Sequence, residues 1–373
     1  MIIRAIVPLV LVFGAGCAAG PSESPAPAPA PAPPTRVILF IGDGVGASYW
    51  TAARLAADSL AVESFRVVGL VDTRSASHKV TDSAAGATVY ATGVRTYNGA
   101  IGVGPDTLPR RTVLEVAEER GLATGLVATS TVTHATPGSF AAHVASRSME
   151  AEIARQMARQ GIEVILGGGR QFFDGSGRGA SDLLPELTRR YTYVETPEAL
   201  RALRPDTVEA LLGLFAAGGM DRAIDGRRPT LEEMTRTALA VLDRDAEGFF
   251  LMVEGSQPDW RGHANEPLEA VTAEMLDYDR AIGAALEYQQ RHPETLIVVV
   301  ADHETGGLAI QAGEDGEPVA RYTTDHHTAQ MIPLFAKGPG AERFGGLISN
   351  ARVGQLLMEA VRGALARVAV TSP

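Results

Sequence analysis

The sequence predicts an α/β fold: a largely parallel central sheet with helices on both faces. Three observations carry the prediction. Short continuous apolar runs, Arg36-Val-Ile-Leu-Phe-Ile41 and Leu296–Val300 among them, read as strands buried on both faces. Strand patterns alternate with helical ones along most of the chain, as in crossover-connected parallel sheets. Acidic and histidine residues repeatedly follow the strands, at the carboxyl edge where open α/β sheets keep their sites.

The elements follow in order. A strand at 36–41 ends in Gly42-Asp43-Gly44-Val45-Gly46. That spacing is not a dinucleotide fingerprint, and Asp43 would repel a pyrophosphate, so Asp43 reads better as a metal ligand. A helix near Ala47–Ala57, strand structure in Phe65–Thr73 and an Ala-rich helix from Ser83 to Gly93 come next, with Thr81 or Asp82 as its cap. Tyr97-Asn98-Gly99 is a turn. Helices are predicted over Thr112–Arg120, Ser148–Gln160, Leu231–Leu242, Pro267–Gln290 and Asn350–Leu365. Strands are predicted over Ala123–Thr129, Glu163–Leu166, Leu212–Ala216, Phe249–Val253, Thr295–Val300 and Met331–Ala336. Asp174–Pro205 reads as loops and peripheral helices. No internal repeat is evident.

With 373 residues, 45% of them hydrophobic, the chain can bury a large core. Residues 1–19 read as a secretory leader: Arg4, a short apolar stretch Ala5–Phe13, then small residues. The only cysteine, Cys17, follows Ala15-Gly16 and resembles the lipid-attachment box of bacterial lipoproteins, although Gly14 stands where leucine is usual. Ordinary cleavage near Ala18-Ala19 would instead leave no anchor. Residues 20–34 are a Pro/Ala-rich tether of extended preference, which sets the start of the catalytic domain at 35, running to 373. The expected location is therefore outside the cytoplasm, periplasmic or at the cell surface, with membrane attachment only through Cys17. A net charge of −11, from 33 basic and 44 acidic residues, argues against a nucleic-acid partner.

The chemistry centres on Val80-Thr-Asp-Ser83. A serine at a helix start is ordinarily a cap, but it also sits where backbone N–H groups favour an anion. Its company decides the reading. Asp43, Glu254, Asp259, His263, Asp302, His303 and the pair His326-His327 gather after strands, and unpaired charges there would be costly. Nitrogen and oxygen donors without thiolate suit zinc, and carboxylate with hydroxyl suits magnesium. Metals beside a serine could activate it and clamp an in-line phosphoryl displacement. Arg147 is the candidate cation for non-bridging oxygens, against the plain reading of a surface arginine.

These stretches resemble the alkaline phosphatase family: Ile41-Gly-Asp-Gly44, Val80–Ala85 through Thr92-Gly93, Tyr97-Asn-Gly99, His134-Ala-Thr-Pro137 through Arg147, Met252-Val-Glu-Gly255 through His263, Ala301-Asp-His303 and His327-Thr328. The likeness runs from Arg36 to the chain end. It implies phosphate-monoester hydrolysis through a phosphoserine at Ser83, with two Zn²⁺ and one Mg²⁺ as cofactors. It implies Asp259, His263 and His327 as a first zinc site, and Asp43, Asp302 and His303 as a second, completed by Ser83. The resemblance likewise implies Asp43, Thr136 and Glu254 as the third, magnesium site and Arg147 as the phosphate clamp. His327 is preferred over His326 because the family's ligand directly precedes a threonine. One common branch of the family has aspartate where His134 is and lysine where Trp260 is. Another has His and Trp there, which puts His134 near the third metal and Trp260 at the substrate. Only 23 residues separate His303 from His327, so the crown insertion that helps many members dimerise is expected to be absent, and monomer and homodimer both stay open.

A sulfatase of related fold would need proline two residues after its nucleophile, and Ala85 stands there. A phosphodiesterase of the superfamily and a non-catalytic phosphate-binding lipoprotein are rival functions for the same residues. Nothing in the sequence selects the leaving group.

Overall fold

Apolar strands between amphipathic helices bury both faces only inside a helix-covered sheet. The computed structural model, which describes Pro8, Leu9 and residues 34–365, has that architecture. Compactness divides the chain into Met1–Ala30 and Pro31–Pro373, and every element below belongs to the second unit. Cys17 and the tether up to Pro33 lie outside the described residues, as does the leader apart from Pro8 and Leu9. Among the described residues no helix is long and apolar enough to cross a membrane.

The strands are β1 (Arg36–Gly42), β2 (Val67–Asp72), β3 (Ala123–Thr131), β4 (Val164–Gly168), β5 (Thr192–Val194), β6 (Leu211–Leu214), β7 (Phe249–Gly255), β8 (Thr295–Ala301), β9 (Glu304–Thr305), β10 (Ala309–Ala312), β11 (Pro318–Arg321), β12 (His327–Thr328), β13 (Ile332–Lys337) and β14 (Gly346–Ser349). Ten of them form one sheet in the order β14-β2-β13-β8-β1-β7-β3-β4-β6-β5. Only β13 runs antiparallel to its neighbours. The helices are α1 (Ala47–Ala56), α2 (Ser83–Thr92), α3 (Val113–Glu119), α4 (Ala135–Ala141), α5 (Glu150–Met157), α6 (Leu184–Leu187), α7 (Pro197–Ala202), α8 (Leu231–Leu242), α9 (Gln257–His263), α10 (Leu268–Arg291) and α11 (Asn350–Val361).

Adjacent residues of a strand point to opposite faces, and β7 shows what covers each. Phe250 stacks on Phe140 of α4 at 5.9 Å, while Phe249 meets Tyr288 of α10 at 5.8 Å. Phe40 of β1 also turns to the α10 side, against Tyr278. Every residue of β7 and β8 is buried, and each such Leu, Ile or Phe contributes about 2 kcal/mol of apolar burial.

The register positions the site. In β1, Gly42 lies level with Gly255 of β7 and with Ala301 of β8. Asp43 and Asp302 therefore emerge side by side at the carboxyl edge, with Glu254 two positions behind them on β7. The two-residue pair β9 and β12 sets His327 opposite Thr305, just past Asp302-His303. The β10–β11 hairpin occupies the short interval between His303 and His327.

The differences from the sequence reading are local. Asp174–Pro205 is not only loops and helices. It contributes β5, which pairs with β6 at the sheet edge. The helix expected over Ser148–Gln160 is confined to Glu150–Met157. Helices α4 and α9, the β10–β11 hairpin and strand β14 have no counterpart in the sequence reading.

Candidate active site

Ser83 is the first residue of α2, and the cap is Asp82, whose carboxylate accepts from the Ala85 N–H at 3.0 Å. Thr81 is not the cap. Gly93 closes the helix in the left-handed conformation, φ 73°. With the capping role filled, the Ser83 hydroxyl is free to face the site. It donates to Asp43 Oδ1 at 3.4 Å and lies 3.2 Å from His303 Nε2. Helix α2 can approach β8 this closely because Gly86 has no side chain: a Cβ there would fall 2.9 Å from Asp302 Cβ.

Asp82 has a second job. Its Oδ2 lies 3.3 Å from Arg147 Nη1, and both its oxygens accept from the Gly99 N–H. The Gly99 carbonyl in turn accepts from the Arg147 N–H at 2.8 Å. The Tyr97-Asn98-Gly99 turn thus joins the cap of the Ser83 helix to the arginine. Arg147 Nη1 comes to 3.5 Å from Ser83 Oγ and Nη2 to 3.2 Å from His134 Nε2.

Three groups of ligand-type atoms converge: Asp259, His263 and His327; Asp43, Asp302 and His303; and Asp43, His134 and Glu254. His263 Nδ1 faces the Asp325 carbonyl at 2.6 Å, and His327 Nδ1 faces the Thr81 carbonyl at 2.9 Å. A carbonyl only accepts, so each Nδ1 carries the proton and each Nε2 presents its lone pair. Those two Nε2 atoms are 3.0 Å apart. Two lone pairs aimed at each other fit a cation and little else. Asp302 Oδ1 is held by the N–H groups of Gly44 and His303, and Glu254 Oε2 by the hydroxyls of Ser256 and Ser130. Glu254 Oε1, Asp43 Oδ2, Thr136 Oγ1 and His134 Nδ1 are buried without a hydrogen-bond partner, and Asp302 Oδ2 has only His303 Nε2 near it, at 3.2 Å. Orphaned buried acceptors are costly, and Asp43, Asp302, Glu254 and His134 belong to the two clusters that share Asp43. The residues therefore fit metal ions.

The electrostatics agree. Burial, and after it the neighbouring Asp302 charge, push the Asp43 carboxyl well above its ordinary value. Burial pushes Glu254 up to about 7. Burial would raise Asp302 as well, but the His303 imidazole beside it overrides this and holds it low. Burial, then the Arg147 charge, hold His134 down to about 4, so that it is neutral through the alkaline range.

The structure brings Asp43, Ser83, His134, Thr136, Arg147, Glu254, Asp259, His263, Asp302, His303 and His327 together. Trp260 stands apart from the clusters. Its ring meets His134 edge-on at 6.2 Å, and a Cβ on Gly219 would fall 2.5 Å from its Cη2. His326 points outward, its side chain 82% exposed against 15% for His327. Removing His327 is expected to weaken metal binding at the Asp259, His263 and His327 cluster, while His326→Ala leaves bound metal unchanged. Metal counts on the two purified variants check this, and the reverse order would move the ligand by one residue. The sequence reading missed the Arg147 contact of Asp82, the serines behind Glu254, and Thr305, whose hydroxyl donates to Asp259 at 2.5 Å.

Comparison with known proteins gives the same direction. Residues 35–320 match the family model described as Alkaline phosphatase. Alkaline phosphatase 3 of Bacillus subtilis is 34% identical, over 87% of this chain and 88% of that protein. The solved alkaline phosphatase of the Antarctic bacterium TAB5 is 35% identical, with a TM-score of 0.83 over 89% of this chain and 99% of that one. A TAB5 variant with histidine replaced by glutamate, solved with Mg bound in its M3 site, is 34% identical at the same TM-score and coverage. A family match over most of the folded region, with relatives and solved structures at about a third identity over most of the chain, leaves one conclusion: this chain belongs to the alkaline phosphatase family and is a phosphoric monoester hydrolase.

Proposed function

We propose that hydrolysis proceeds through a phosphoserine on Ser83, at a site that takes two Zn²⁺, one at Asp259, His263 and His327 and one at Asp43, Asp302 and His303, and one Mg²⁺ at Asp43, Thr136 and Glu254. The observation that carries this is the 3.0 Å approach of the His263 and His327 Nε2 atoms, both with their Nδ1 protons committed to carbonyls. Bound there, the metals would supply Lewis acidity and lower the pKa of the attacking oxygen. The chain's own groups do the rest. Arg147 is steadied by Asp82 and anchors two non-bridging oxygens of the phosphoryl group beside Ser83. The Ser83 oxygen attacks phosphorus in line, the ester oxygen leaves as alcohol, and water later displaces the serine oxygen. The positive end of α2 faces the phosphoryl group. Substrates are small phosphomonoesters, and the open mouth beside Val80, Asn98 and His326 accepts varied leaving groups.

The test is hydrolysis of p-nitrophenyl phosphate by metal-stripped protein, with Zn²⁺ and Mg²⁺ restored separately and together. Activity recovered in full without zinc would overturn the zinc assignment. A phosphodiesterase reading predicts instead faster turnover of bis-p-nitrophenyl phosphate. A non-catalytic phosphate-binding protein predicts no turnover of either.

We infer that neutral His134 supports the third site less than a carboxylate would. The magnesium-bound TAB5 variant with glutamate in place of a histidine supports this. Trp260, packed against the His134 ring, brings no charge to that side of the site, so product phosphate leaves readily. Trp260→Lys is therefore expected to lower the inhibition constant for inorganic phosphate and, where release limits turnover, kcat as well. An unchanged inhibition constant in a metal-loaded variant would leave Trp260 as packing against Gly219 and His134.

The Ala15-Gly16-Cys17 stretch supports export and lipid anchoring at Cys17, on a tether ending near 34. Fatty-acid labelling of wild type and Cys17→Ser tests it, and unlabelled, freely released wild type would favour ordinary cleavage.

A further inference from the structure

We propose that Thr305 is a positioning residue that ties the two zinc sites together, so that each site's affinity depends on the same hydroxyl. The inference rests on the metal reading above. Thr305 is fully buried, and its Oγ1 sits between one ligand of each site: 2.5 Å from Asp259 Oδ1 and 3.2 Å from His303 Nδ1.

The hydroxyl has one proton and two lone pairs. A carboxylate only accepts, so the proton goes to Asp259. What faces His303 is then a lone pair, which requires the proton on His303 Nδ1. That leaves Nε2, which faces Asp43, Asp302 and Ser83, as the nitrogen a bound metal would take. One hydroxyl thereby orients the Asp259 carboxylate in the first site and holds the His303 Nδ1 proton in the second. For His263 and His327 a backbone carbonyl does the equivalent work. For His303 Thr305 is the one Nδ1 partner among the described residues.

The surroundings hold Thr305 still. Its N–H donates to the Gly44 carbonyl at 3.1 Å, and its carbonyl accepts from the Tyr49 hydroxyl at 2.7 Å. The β9–β12 pairing sets it directly opposite His327. Gly44, at φ +72°, leaves the room: a Cβ there would fall 2.8 Å from Thr305 Oγ1 and 2.8 Å from Asp259 Cα. Thr305 therefore touches the segments that carry Asp43, Asp259, His303 and His327. A shift at one site reaches the other through a single rigid hydroxyl.

The experiment equilibrates holoenzyme against zinc buffers and counts zinc per chain. Wild type, Thr305→Val and Thr305→Ser are compared. The comparison is repeated in His263→Ala and Asp302→Ala backgrounds, which leave only the second or only the first site intact. Loss of an outer partner of a metal ligand typically weakens the metal about 10- to 100-fold. Thr305→Val should raise the free zinc needed for half-occupancy by that factor in both backgrounds, and Thr305→Ser should restore the wild-type value. An effect of Thr305→Val in one background alone, or in neither, overturns the coupling. Equal loss in the serine and valine variants also overturns it, since packing and not the hydroxyl would be responsible. Thr305→Ala repeats the comparison should valine impair folding. If His263→Ala and Asp302→Ala themselves leave bound zinc at the wild-type level, the metal reading fails first, and that result is recognised without any Thr305 variant.

Discussion

Ser83→Ala is expected to lower kcat for p-nitrophenyl phosphate by at least about 10³-fold while the protein stays folded and metal-loaded. A serine at a helix start is normally a cap, and losing a cap costs about 1 kcal/mol. Here Asp82 accepts from the Ala85 N–H, so the helix keeps its cap in the variant. Ser83 is 2% exposed and its hydroxyl contacts only Asp43, His303 and Arg147. The melting temperature should therefore barely move. Acid quenching with a radiolabelled phosphate ester should trap phosphoprotein in wild type and none in the variant. Near-wild-type kcat in Ser83→Ala would sink the phosphoserine mechanism and return Ser83 to a packing role.

Much of this fold was legible because burial leaves a strong mark on strands. β1, β7 and β8 are buried on both faces, which demands the unbroken apolar runs seen in the sequence, and their shared register then brings Asp43 and Asp302 level, with Glu254 two positions behind. Helix α2 was readable from an acidic cap at one end and a glycine at the other. Helices α4 and α9 were not. All seven residues of α4 are buried, so no polar face alternates with an apolar one, and α9 holds a proline and three charged or titratable groups, of which Asp259 and His263 face the site and Arg261 pairs with Glu266. The strands β9 and β12 are two residues each, too short for any period. Other parts of the site have no sequence signature at all. The Thr81 and Asp325 carbonyls that orient two imidazoles are backbone atoms, and Asp82 reaches Arg147 across 65 positions. Such contacts exist only once the sheet has brought its carboxyl ends together.

Asp43→Asn should have a comparably large effect, with a more unusual signature. Asp43 belongs to two of the three ligand groups, so replacing its carboxylate should loosen metals at both and lower kcat by at least about 10²-fold. Stability should move the other way once metals are removed. Burial first, then the charges of Asp302, Asp259 and Glu254, push the Asp43 carboxyl well above its ordinary value, and Glu254 is raised to about 7. A carboxyl with a raised folded pKa binds more protons in the folded than in the unfolded chain. Its contribution is present below the ordinary carboxylate range and is lost as pH rises through the folded value. Metal-free wild type should therefore lose stability between about pH 4 and the alkaline range, as buried carboxylates ionise against one another without a cation. Asparagine removes one of those charges. Metal-free Asp43→Asn should then melt at a higher temperature than metal-free wild type at pH 8, while the metal-loaded forms rank in the opposite order. Thermal melts at pH 5 and pH 8, with and without chelator, read all four cases. If the metal-free variant were instead the less stable at pH 8, a protein group would already be neutralising Asp43, and the cluster would be a structural ion network that does not depend on metal.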